Sequence, residues 1–116
     1  MLNGKNAITV DQLSFIIDAE NNPEKIFNIN PNGMYKKLVD LGFDVKPLGR
    51  GSLAGKSFTN EGGGYCIYYG GNGYMQYHPI TGSHHGSEYY KISNVNTGIT
   101  GYNIDGTVLY RRGGNV

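Results

Sequence analysis

Residues 65–78 read YCIYYGGNGYMQYH. Tyr65 to Tyr69 and Tyr74 to His78 are rich in aromatic and branched residues, the composition of strands, and Gly70, Gly71, Asn72 and Gly73 stand between them. Asn-Gly supplies the positive-φ backbone that tight antiparallel turns require, so the stretch predicts a β-hairpin. A chain built outward from such a hairpin has an antiparallel sheet as its organising layer.

The sheet signal continues towards the C-terminus. Residues 88–93, EYYKIS, alternate so that Tyr89, Lys91 and Ser93 fall on one face and Glu88, Tyr90 and Ile92 on the other. Tyr90 and Ile92 mark the covered side, and Lys91 and Ser93 a polar row. Thr100 to Ile104 and Thr107 to Tyr110 flank Asp105-Gly106, a second hairpin signal. Four to six strands are expected after Gly42.

Upstream, the signals are helical. Thr9 with Gln12 makes a capping box ahead of Leu13, Phe15, Ile16 and Ile17, which predicts a short helix ending near Asn21 and Asn22. Asn22-Pro23 and Asn30-Pro31 repeat the pattern of a cap followed by a first-turn proline. After the second, Met34, Leu38 and Leu41 recur at helical spacing, with Gly42 placed to end the helix. Phe43, Val45 and Leu48 read as a first strand, and residues 47–64 as a loop-rich connection. Within that loop Gly55-Lys56-Ser57 resembles the end of a phosphate-binding loop. Five residues separate Gly55 from Gly49 and three separate it from Gly51, where the motif needs four, so it is read as a basic segment able to lie over a substrate. Helices first and a meandering sheet after predict α+β: short N-terminal helices packed on a twisted antiparallel sheet. One domain spans residues 1–116, with 1–8 as a candidate flexible lead-in.

Composition narrows the function classes. The net charge is +1 and only 16% of residues are charged, so any nucleic-acid binding must come from local patches such as Lys46, Arg50 and Lys56, or Arg111 and Arg112. The 19 glycines follow no Gly-X-Y period and read as turns. Most of the 10 tyrosines are expected on a half-exposed sheet surface with hydroxyls in water. Cys66 has no internal disulfide partner and reads as a small buried hydrophobe. No apolar run reaches membrane-spanning length, and residues 1–10 lack the apolar core of a signal peptide.

The chemistry concentrates in residues 77–93, YHPITGSHHGSEYYKIS, which hold all three histidines, His78, His84 and His85. A solvated turn would account for Pro79, Gly82, Ser83 and Gly86. Proximity to Lys91 and Ser93 favours a phosphate site, with Lys91 as a charge, Ser93 as a hydroxyl donor and turn amides as further donors.

Residues 38–65, LVDLGFDVKPLGRGSLAGKSFTNEGGGY, together with residues 77–93 and Thr97-Gly98, resemble the C-terminal toxin domains of bacterial polymorphic and contact-dependent growth inhibition toxins. The likeness covers about residues 38–106, and its specific part is HP, a spacer, HHG, an aromatic, K and S. It implies the fold of the barnase, EndoU, colicin and RelE superfamily and ribonuclease activity. It carries catalytic roles to His78, to His84 or His85, to Lys91 and Ser93, and to Thr97 or Thr100; Arg50, Lys56, Tyr89 and Tyr102 are, apart from the resemblance, the substrate-binding candidates. It also implies a secreted or cell-surface bacterial toxin that acts in the target-cell cytoplasm, on RNA and above all tRNA. The domain would be a monomer except when bound by a cognate immunity protein.

The expected reaction needs neither cofactor nor metal. A histidine takes the ribose 2′-hydroxyl proton, the 2′-oxygen attacks phosphorus, and a second donor protonates the leaving 5′-oxygen, giving 2′,3′-cyclic phosphate ends. Two alternatives stand beside it. A metal-dependent nuclease would use the imidazoles as ligands, although only Glu88 is a nearby carboxylate, and a non-catalytic module would bind through tyrosines and glycine-rich loops.

Overall fold

In the computed structural model, which describes residues 8–70, 73–81, 86–94 and 98–112, the helical third begins as its caps dictate. Thr9 Oγ1 accepts from the Gln12 amide at 3.0 Å and Gln12 Oε1 from the Thr9 amide at 2.9 Å. This capping box starts α1 (Val10–Asn21) and contributes about 1 kcal/mol. Gln12 Nε2 also donates to Leu41 O at 3.0 Å, so the start of α1 satisfies a carbonyl at the end of the helix that follows Asn30. Between them α2 (Pro23–Ile26) is a single turn with proline at its first position. In α3 (Pro31–Asp40), Asn30 Oδ1 accepts from the Gly33 amide at 2.8 Å. Gly42, at φ +87°, ends α3 by letting its own amide reach Val39 O at 2.9 Å and the Phe43 amide reach Leu38 O at 3.1 Å.

Five strands follow: β1 (Tyr65–Gly70), β2 (Gly73–His78), β3 (Tyr89–Asn94), β4 (Gly98–Asn103) and β5 (Val108–Arg112). Their spatial order is β1-β2-β3-β4-β5 with every pair antiparallel. Gly70 faces Gly73 across the first turn, whose Gly71 and Asn72 lie outside the described residues. The last hairpin closes through the Asn103 amide on Thr107 O at 2.8 Å. There the Asp105 carboxylate accepts from the Thr107 hydroxyl at 2.6 Å and amide at 3.0 Å, bonds that hold its pKa below the usual carboxylate range.

One face of the sheet is covered. Ile67 pairs with Met75, Met75 with Ile92, and Ile92 with Thr100. Their face meets Phe15, Ile16 and Ala19 of α1, Phe27, and Met34 and Leu38 of α3 in one core. The fold is α+β, as expected. Leu13 and Ile17 lie on the uncovered side of α1, 47% and 45% exposed.

Three expectations change. Tyr65, Tyr77, Tyr89 and Tyr102 are buried rather than surface residues, while Tyr90 is buried as its place on the covered side predicts. Their hydroxyls find protein partners where they are covered: Tyr65 donates to Pro31 O at 2.8 Å and Tyr90 to Ile29 O at 2.7 Å. Sheet tyrosines thus fasten the chain that leads into α3, and each such bond contributes about 1 kcal/mol net. The expected first strand is only a bridge, with Lys46 and Cys66 exchanging amide hydrogen bonds of 2.9 and 2.7 Å. Finally, the loop-rich connection contains α4 (Phe58–Glu61), capped by Ser57 Oγ on the Asn60 amide at 3.1 Å. Phe58 makes this turn worthwhile, since its ring packs against Tyr35 at 5.0 Å and Tyr65 at 4.9 Å.

Candidate active site

The sheet face turned away from the helices bears a groove of about 590 Å³. Strand register sets the residues of that face in rows, several of which line the groove. Tyr68, Tyr74, Ser93, Ile99 and Arg112 follow one another across the sheet, and beside them run Cys66, Gln76, Lys91, Gly101 and Tyr110. A third row holds His78, Tyr89 and Asn103. One wall is the segment from Leu48 to Leu53, a compact loop whose ends meet through the Gly55 amide on Leu48 O at 2.9 Å.

His78 is held on two sides. Its ring lies on that of Tyr89 with centroids 4.8 Å apart and planes within 4°, and its Nε2 is 2.7 Å from Gln76 Oε1. An amide oxygen only accepts, so the Nε2 proton is donated and Nδ1 becomes the basic nitrogen of the neutral imidazole. The Gln76 amide is itself oriented by donating from Nε2 to Cys66 Sγ at 3.8 Å. Beneath the imidazole, Tyr89 is 2% exposed and meets Tyr110 edge-on at 5.9 Å. Burial first, then the charge of Tyr89, pushes the Tyr110 pKa up to about 12.

Lys91 is the diagonal neighbour of His78 on this face, with Cβ atoms about 7–8 Å apart by strand geometry. Burial, and after it the charge of Arg112, lowers its pKa from the ordinary lysine value, with Cys66 opposing. Arg50 adds a further cation from the loop wall. No aspartate or glutamate lines the groove among the described residues. Glu88 accepts instead from the Tyr77 hydroxyl at 2.7 Å. The groove therefore has a cationic field although the whole chain is close to neutral.

Of the residues singled out from the sequence, the groove brings together Arg50, His78, Tyr89 and Lys91. Ser93 shares the face, between Tyr74 and Ile99, without forming part of the lining. Thr100 and Tyr102 are corrections. Thr100 is opposite Ile92 on the covered face and 4% exposed, while Tyr102 is stacked on Phe27 at 4.7 Å, so neither can meet a ligand in the groove. Lys56 is exposed outside the lining. His84, His85 and Thr97 lie outside the described residues.

Gln76 was legible from period two, since it precedes His78 by two positions on a strand. Arg112 was not, because a register shift between Gly101 and Tyr102 decides which of two adjacent arginines turns inward. Gly101 leaves its place in its row to an aromatic: a Cβ there would collide with the Tyr110 ring. Among the described residues no three His, Cys, Asp or Glu side chains gather as a metal site would require. No described helix is long and apolar enough to cross a membrane. Comparison of the chain with protein-family models, with curated proteins and with solved structures finds no match.

Proposed function

We propose that this domain is a metal-independent endoribonuclease of the bacterial toxin class, cleaving RNA, with tRNA favoured, to 2′,3′-cyclic phosphate and 5′-hydroxyl ends. The observation that carries the reading is the junction, in one groove without a carboxylate among its described lining residues, of an oriented imidazole with three cations: His78 beside Lys91, Arg112 and Arg50. A phosphodiester is the substrate such a field attracts, and a neutral imidazole is the base its 2′-hydroxyl needs.

In this reading Nδ1 of His78 takes the 2′-hydroxyl proton. The 2′-oxygen forms its bond to phosphorus as the bond from phosphorus to the 5′-oxygen breaks. Lys91, made more acidic by burial and by Arg112, delivers a proton to the departing oxygen, while Arg112 and Arg50 hold charge on the phosphoryl oxygens. His84 and His85 are further proton carriers on the strength of the sequence. As part of a delivered toxin, the domain acts in the cytoplasm of the target cell and is neutralised by a cognate immunity protein.

RNA cleavage by the purified domain in excess chelator tests the chemistry. A cyclic-phosphate product is expected, and a single deoxyribose at the scissile nucleotide should block it. Cleavage that requires an added divalent ion would favour the metal-dependent nuclease, and RNA binding with no cleavage the binding module.

A further inference from the structure

Tyr68 lines the groove and is 64% accessible. Tyr74 stands across from it, with ring centroids 6.3 Å apart at 64°, and the Arg50 charge reaches the Tyr68 hydroxyl. Leu48 and Leu53 bring apolar surface to the same end of the groove.

A flat aromatic face with an aromatic side wall, a cation and aliphatic groups is the surface that takes a nucleobase. Only an unstacked base can lie on it, because bases inside a duplex already have both faces covered. Lys91 lies two strands away and one pair along the sheet, about 10 Å across and 7 Å along. That span suits a base one or two nucleotides from a phosphate held at Lys91 and Arg112.

We propose that Tyr68, backed by Tyr74 and Arg50, is a stacking platform for one base of a single-stranded RNA whose scissile phosphate lies at Lys91. The proposal rests on the ribonuclease reading for its phosphate position and adds the strandedness of the substrate.

The experiment is fluorescence anisotropy with a fluorescein-labelled 2′-O-methyl oligoribonucleotide, which binds but offers no 2′-hydroxyl for attack. The wild-type domain should bind the single strand at least tenfold more tightly than the same sequence annealed to its complement. Tyr68→Ala should weaken single-strand binding about tenfold or more, and Tyr68→Trp should retain it. The salt dependence should be unchanged in Tyr68→Ala and should fall by about one ion in Arg112→Ala. Equal affinity for duplex, or wild-type affinity in Tyr68→Ala, overturns the platform. If instead the probe binds as described but RNA with free 2′-hydroxyls is not cut, the ribonuclease reading fails and the platform stands.

Discussion

The imidazole of His78 lies flat on Tyr89, 4.8 Å between centroids, while its Nε2 meets Gln76 Oε1 at 2.7 Å. Stack and hydrogen bond together fix both the plane and the tautomer of the ring, which is the preparation the proposed general base requires. Gln76→Glu would set a carboxylate beside Nε2 and favour the charged imidazolium, so the pKa of His78 should rise. The acid limb of kcat/KM should then move to higher pH by about one unit. Gln76→Leu should instead release the tautomer preference, visible in the imidazole nitrogen NMR shifts. An unmoved pH profile in Gln76→Glu would remove His78 from the role of base.

In the proposed ribonuclease, Lys91 sets activity against stability. Its folded pKa lies below the unfolded value of 10.5, so between the two the unfolded chain binds more protons and stability rises with pH. At neutral pH, below both values, the cost of holding the charge half-buried is fully present. Lys91→Met should therefore raise Tm near pH 7, with the gain shrinking as pH climbs through the folded pKa towards 10.5. The same variant should lose about 10²- to 10³-fold in kcat through the missing charge. Thermal melts across pH beside single-turnover cleavage check both halves.

The tyrosine tethers make a separate stability prediction. Tyr90→Phe and Tyr65→Phe keep the rings in the core but leave Ile29 O and Pro31 O without their donors. Each should cost about 1–2 kcal/mol and lower Tm by about 4–8 °C per kcal/mol. Chemical denaturation should show the change in midpoint with an unchanged slope.

Gly106→Ala should be among the most damaging small substitutions. Gly106 has φ +87°, and a Cβ there would meet the Glu24 carbonyl oxygen at 2.5 Å. Left-handed strain and a backbone collision between the last hairpin and α2 together should cost more than about 1 kcal/mol. A melt of the purified variant measures it, and a Tm equal to wild type would contradict this packing.

Local elements were legible because short-range chemistry writes them. The Thr9 to Gln12 box, the Asn30-Pro31 start, the Gly42 stop and the turns at residues 70–73 and 105–106 each depend on residues within a few positions of one another. The alternation that set Tyr90 and Ile92 on the covered face, and Lys91 opposite, was legible for the same reason. So were four of the groove residues, since His78, Tyr89 and Lys91 share one face of adjacent strands and Arg50 lies in a loop already marked as basic.

The sequence alone therefore determined the α+β order and the main caps and turns, but neither the reduction of the expected first strand to a bridge nor α4. Tertiary structure decided which faces are covered. Only the packing of α1 and α3 on one face shows that tyrosines are core residues rather than a wet surface, and only cross-strand register takes Thr100 and Tyr102 into that core while turning Arg112 to the groove. Phe58 became a helical residue because Tyr35 and Tyr65 wait for its ring, a contact with no trace in the glycine-rich residues around it. The physical reason is range: caps and turns act over three or four residues, whereas register and burial are set by partners tens of residues away in the chain.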